Sequence, residues 1–139
     1  MGNTQSMKKI NFEDMHTLIK NPDQYLLINT LPVSEQSCLI VYTVNANDEE
    51  AIINKFIKEN KSIRIVIYGK NSNDESVQKK YQQLLSIGFY NIYVYTGGLF
   101  EWLLLQDVYG KELFQTTKTE LDILKYKSPQ ILNLSLLEY

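Results

Sequence analysis

A strand, a loop, a helix and a second strand can be read without interruption between Ile63 and Trp102, and this unit constrains the fold more than any other stretch. Ile63, Ile65, Val66 and Ile67 make a short β-branched run that stops at Gly69. Such a run suits a strand buried on both faces of a parallel sheet. The segment Lys70 to Asp74 has no apolar residue. From Glu75 to Ser86, Val77, Tyr81, Leu84 and Leu85 recur at helical spacing and predict an amphipathic helix. Gly88 supplies the helix stop. Ile92-Tyr93-Val94-Tyr95 predicts the next strand. The loop after Tyr68 then lies at the carboxyl end of a strand, where open α/β sheets build their sites.

The order of these parts resembles the rhodanese family: an apolar strand ending in a tight loop, a helix, a Gly-aromatic pair, a strand, then Gly-Gly-x-x-x-Trp. The matching residues are Ile63–Tyr68, the helix after Glu75, Gly88-Phe89, Ile92–Tyr95, and Gly97-Gly98 with Trp102. The resemblance spans about residues 10 to 110. It implies an α/β fold with a central parallel sheet of about five strands flanked by helices. Residues 1–9 are then a flexible leader, and 111–139 an extended C-terminal tail.

In active members of that family a Cys follows the first of these strands and heads a loop with a basic residue near its end. Its thiolate attacks a sulfane sulfur, or a phosphate in related phosphatases, while loop amides and the helix start hold the negative charge. Here Gly69 takes the Cys position. The loop Gly69, Lys70, Asn71, Ser72, Asn73, Asp74, Glu75 ends in two acids, and Lys70 is its one cation. A carboxylate at a helix start can cap the free N–H groups itself and fill the anion hole from within. The family's Asp-x-Arg at the end of an earlier strand is here Asn29-Thr30-Leu31. These departures predict no catalytic residue.

The remaining elements follow from local pattern. Asn11 with Asp14 predicts the cap of a helix whose inner face is Phe12, Met15, Leu18 and Ile19, ending at Asn21-Pro22. Tyr25 to Asn29 predicts a strand, and Cys38 to Tyr42 another. Asn47 as cap with Glu50 opens a helix carrying Ile52, Ile53, Phe56 and Ile57; Asp48, Glu49 and Glu50 compensate its dipole. Leu99 to Gln106 predicts an apolar helix with Trp102 as a core anchor. Glu120 to Lys127 predicts a helical turn or two before Ser128-Pro129.

Charge and composition exclude several roles. A net charge of −2 and a pI near 5.4 argue against nucleic acid as a partner. The lone His16 has no companion for a metal site, and no metal or cofactor is expected. The single cysteine, Cys38, has no basic neighbour in sequence and reads as structural rather than as a displaced nucleophile. No run reaches transmembrane length and no secretory pattern opens the chain, so an intracellular, reducing compartment such as the cytoplasm is expected.

Both ends carry signals of their own. Met1 to Ser6 fits the N-myristoylation pattern, with Gly2 as acceptor and Lys8-Lys9 as a weak electrostatic aid to membrane association. The competing reading is a disordered polar leader. Ile131, Leu132, Leu134, Leu136 and Leu137 make the tail strongly apolar. Such a segment is expected to be covered, on its own domain or by a protein partner.

Three functional readings result: a catalytically silent rhodanese-like module that binds protein, as an adaptor or a component of a larger assembly; a sulfurtransferase or phosphatase using Cys38 or a non-thiol loop; and a small-ligand sensor built on residues 69–75.

Overall fold

A computed structural model describes residues 7–132. Four strands, β1 (Lys8–Ile10), β2 (Tyr25–Asn29), β3 (Arg64–Tyr68) and β4 (Ile92–Tyr95), form one parallel sheet in the order β1-β4-β3-β2. Four helices connect and follow them: α1 (Phe12–Lys20), α2 (Glu49–Glu59), α3 (Glu75–Ser86) and α4 (Gly98–Tyr109). The period-2 alternation of strand side chains splits the core in two. Leu27, Val66, Tyr68 and Tyr95 face α1, α4 and the C-terminal segment. Leu26, Ile28, Ile65, Ile67, Ile92 and Val94 face α2 and α3. Both faces are covered, which is why β3 reads as an unbroken apolar run.

Local chemistry sets the helix starts. The Asn11 side chain accepts the N–H groups of Glu13 (2.9 Å) and Asp14 (3.1 Å), and Asp14 accepts the Asn11 N–H at 3.1 Å, a reciprocal capping box. Helix α2 begins one residue later than expected, with Asp48 rather than Asn47 at the cap position. The Asn47 N–H is instead drawn back to Asn45 Oδ1 at 2.8 Å, which makes a turn ahead of the helix. Helix α4 is apolar on nearly every side, with Leu99, Trp102 and Leu103 fully buried.

Three expectations are corrected. The sheet has four strands, because Cys38–Tyr42 is not one: Ile40 and Thr43 make only single bridges, to Thr116 and Leu27. Tyr42 adopts φ 71°, a left-handed conformation that interrupts an extended run. Lys8 and Lys9, expected in a flexible leader over residues 1–9, belong to the sheet, since Lys8 to Ile10 pair with Tyr93 to Tyr95. The domain also does not end at Gly110. Phe114 and Tyr126 are buried in the α1–α4 core, and the segment between them ties back to residues 38–41. Val41 N–H donates to Gln115 O (3.1 Å), Thr117 N–H to Leu39 O (2.8 Å), and Leu39 N–H to Thr117 Oγ1 (3.0 Å). A 3₁₀ turn at Ile123–Tyr126 lies within the predicted Glu120–Lys127 segment.

Among the described residues no helix is long and apolar enough to cross a membrane. Gly2, Leu134, Leu136 and Leu137 lie outside the described residues.

Candidate functional site

The β3–α3 loop is built around the carboxylate of Asp74. As the cap of α3 it accepts the Ser76 N–H through Oδ1 at 3.0 Å, and through Oδ2 it accepts the Lys70 N–H at 2.9 Å. Ser76 Oγ bridges Asp74 Oδ1 (2.6 Å) and Thr30 Oγ1 (2.7 Å), linking the loop to the end of β2. A helix start and a turn of backbone amides suit an anion. Here the chain's own carboxylate takes that place.

Gly69 follows β3 directly, and its Cα faces this carboxylate. A Cβ there would lie 2.5 Å from Asp74 Oδ2 and 2.7 Å from Val77 Cγ2, closer than real Cβ contacts come. Position 69 therefore carries no side chain and has no room for one in this arrangement.

The rest of the loop is fastened to its surroundings. Asn71, buried, donates through Nδ2 to Tyr126 O at 2.8 Å and accepts the Asn73 N–H at 2.9 Å. Lys70 pairs with Glu35 at 3.0 Å, so the loop's cation is answered from the loop after β2. On the other side α4 approaches closely. Leu99 N–H donates to Gly69 O (2.9 Å) and Phe100 N–H to Lys70 O (2.8 Å). Gly98 has φ +68°, and a Cβ on it would sit 2.8 Å from Gly69 O and Asn71 N. Only glycine fits both demands. Ser72, Asn73 and Glu75 instead line a cleft of about 210 Å³ together with Lys9, Val94 and Thr96.

The residues at the family's Asp-x-Arg position are turned to structure. Asn29 exchanges two amide hydrogen bonds with Gln36, at 3.1 and 2.8 Å, and accepts the Leu31 N–H at 3.0 Å. Leu31 is buried in the α1–α4 core.

Cys38 is buried, and its thiol donates to Lys118 O at 3.2 Å. Burial, then the nearby Glu120 charge, pushes its pKa up, which disfavours the nucleophilic thiolate. It does not line the cleft beside the loop. The Tyr68 hydroxyl accepts the Ile40 N–H at 3.1 Å and meets Thr43 Oγ1 at 2.7 Å; burial raises its pKa strongly. Tyr95 donates to Glu101 at 2.5 Å, and burial followed by that carboxylate raises its pKa as well. His16 donates through Nε2 to Leu113 O at 2.8 Å and packs on Trp102 and Phe114. Among the described residues no group of three or more His, Cys, Asp or Glu side chains could hold a metal.

A family model for rhodanese-like domains matches residues 15–105. The chain belongs to the rhodanese-like domain family. Its fold is similar to a protein from Bacillus halodurans (12% identity, 86% of this chain and 90% of that one, TM-score 0.59). It is similar to the single-domain sulfurtransferase of Saccharomyces cerevisiae (16% identity, 78% and 98% covered, TM-score 0.55). It is similar also to the rhodanese-like domain of an Anabaena protein (17% identity, 92% and 96% covered, TM-score 0.55). No curated protein matches the chain significantly.

Sequence reasoning located the loop but missed what holds it. The Lys70–Glu35 pair and the Asn71–Tyr126 bond join segments 35 and 55 residues apart, and nothing local signals them.

Proposed function

We propose that this rhodanese-like domain performs no covalent chemistry and serves as a protein-binding module, an adaptor or a component of a larger assembly. One observation carries the reading. The position that would hold a nucleophile is Gly69, packed against an Asp74 carboxylate that already accepts the Lys70 and Ser76 N–H groups. Nucleophilic catalysis needs a thiolate or an activated hydroxyl in reach of an anion site. The one thiol is buried and bonded to a carbonyl elsewhere, and an incoming sulfane or phosphoryl anion would meet a carboxylate. In support of a binding role, Ile131 and Leu132 are 83% and 75% exposed where the described chain ends, beside the further apolar residues of the tail.

The test is turnover. Purified full-length protein, given thiosulfate and cyanide, or p-nitrophenyl phosphate, should show no rate above buffer, and intact-mass spectrometry should find no sulfur adduct on Cys38. A thiosulfate-to-cyanide rate abolished by Cys38→Ala would overturn the reading. The tail's part is tested by comparing capture of partners by the full chain with capture by a chain ending at Lys127, which keeps Phe114 and Tyr126 in the core.

A further inference from the structure

At the amino-terminal end of the sheet, on the face that α1 covers only in part, charges and rings alternate. Lys8 of β1 lies over the Tyr93 ring of β4, Nζ 5.4 Å from the centroid, and Arg64 of β3 lies over the Tyr25 ring of β2 at 5.8 Å. Register enforces this order, since Lys8 and Val66 are both level with Tyr93, and Tyr25 is level with Arg64. Arg64 opens β3 and Gly69 follows it, so the two stand about 16 Å apart along the strand. The two sites lie at opposite ends of the sheet.

Between the rings is a pocket of about 220 Å³, lined by Ile10, Tyr25, Val66 and Tyr93 together with the exposed Arg64 and Asp14. Asp14 is already engaged in the cap of α1. Among the described residues neither Lys8 nor Arg64 takes part in an ion pair. Arg64 is the only arginine in the chain. A patch with two unanswered cations thus stands on a molecule of net charge −2.

We infer that this slot docks an acidic segment of a partner protein, one apolar or aromatic side chain entering between Tyr25 and Tyr93 while flanking carboxylates pair with Arg64 and Lys8. The inference rests on the reading of the domain as a protein-binding module and names the surface and the partner's chemistry. The pocket's volume suits one side chain, because small-ligand sites start at roughly 300 Å³. Tyrosine and arginine are typical anchor residues of interfaces. The cation–π contact with Tyr25 keeps the guanidinium at this side of the slot, and a guanidinium can grip a carboxylate with two parallel hydrogen bonds. Single-stranded nucleic acid would use the same rings and cations. Two cations on an acidic molecule favour protein carboxylates.

The test uses full-length protein and a labelled peptide with a central tryptophan flanked on each side by two glutamates, followed by fluorescence anisotropy and amide chemical-shift mapping. Saturable binding is expected, with shifts centred on Lys8, Tyr25, Arg64 and Tyr93, and weakening as salt rises. Arg64→Gln, at an exposed position, should weaken it about tenfold, the equivalent of one charge-assisted hydrogen bond. Lys8→Gln should weaken it less, and Arg64→Lys should recover only part of the loss. A peptide with alanine for the tryptophan should bind weakly. No saturation at millimolar peptide, unchanged affinity in Arg64→Gln, or displacement of the peptide by oligothymidylate would overturn the inference. Such a failure leaves the non-catalytic reading untouched, because turnover decides that. Turnover alongside intact peptide binding would refute the non-catalytic reading and leave the slot standing.

Discussion

Adding one methyl group at Gly69 should destabilise the protein, and the size of the effect can be worked out from the Asp74 contacts. Among the described residues the glycines with left-handed backbone are Gly88, Gly98 and Gly110 and not Gly69, so alanine at 69 meets no backbone strain. What it meets is Asp74 Oδ2 at 2.5 Å and Val77 Cγ2 at 2.7 Å. Overpacking of this kind costs about 1–3 kcal/mol. If the carboxylate withdraws instead, α3 loses its cap, worth about 1 kcal/mol, and the Lys70 N–H loses a charged acceptor worth about 1.5–3 kcal/mol. Stiffening of the unfolded chain returns about 0.4–1 kcal/mol. The cheaper route wins, so the net expectation for Gly69→Ala is a loss of about 1–2 kcal/mol. Asp74→Ala alone should cost more, about 2.5–4 kcal/mol, through the cap and the stranded amide. In the double variant the methyl group arrives where the carboxylate has already gone. Its loss should therefore fall short of the sum by about 1–2 kcal/mol. Urea denaturation followed by circular dichroism measures all three, with unchanged slopes expected. A Gly69→Ala protein as stable as the parent, or strict additivity, would show that the Asp74 carboxylate does not occupy the space beside Gly69.

Two further outcomes follow from the core and from its buried hydroxyls. A chain ending at Gly110 should fail to fold, because it loses Phe114 and Tyr126, about 1.5–3 kcal/mol each, and leaves Trp102 Nε1–H and Gln106 Nε2 without Gln115 O (3.0 Å) and Phe114 O (2.7 Å). A chain ending at Lys127 should melt like the full one in far-ultraviolet circular dichroism; equal melting of all three would refute the tail's place in the core. Stability should also fall in alkali. Tyr68 and Tyr95 hold their protons more tightly folded than unfolded, so their contribution is complete below the unfolded phenol's pKa of about 10 and is lost as pH rises beyond it. The raised Cys38 thiol begins the same loss from about 8.5. Urea midpoints at increasing pH, compared with those of Tyr68→Phe, should show a shallower alkaline decline in the variant and, at neutral pH, a cost of about 1–3 kcal/mol for the stranded Ile40 N–H; identical alkaline slopes would contradict this account.

Elements whose signal is local were legible in the sequence. β2, β3, β4 and α3 announced themselves through apolar runs and periodicity, and the capping box of α1 lies within four residues. Elements defined by distant partners were not. β1 is three residues with two exposed lysines, and only its pairing with β4 makes it a strand. Residues 38–42 have strand composition, but their backbone bonds go to residues 115–117 and to Tyr68, and composition cannot encode that choice. The site divides the same way. Gly69 and the acidic loop end were readable by position; the placing of Asp74 against Gly69, and the Asn71 and Lys70 tethers, appear only once the chain is folded. Lys8, Tyr25, Arg64 and Tyr93 are scattered over 86 positions and come together only through strand register.

The first amides of α4 end on the carbonyls of Gly69 and Lys70. Loop and helix should therefore open to solvent together, with hydrogen-exchange protection at Leu99 and Phe100 tracking that at Lys70. Reshaping the loop would have to unravel the start of α4 at the same time, so Gly69→Cys alone should not raise the rate with thiosulfate and cyanide.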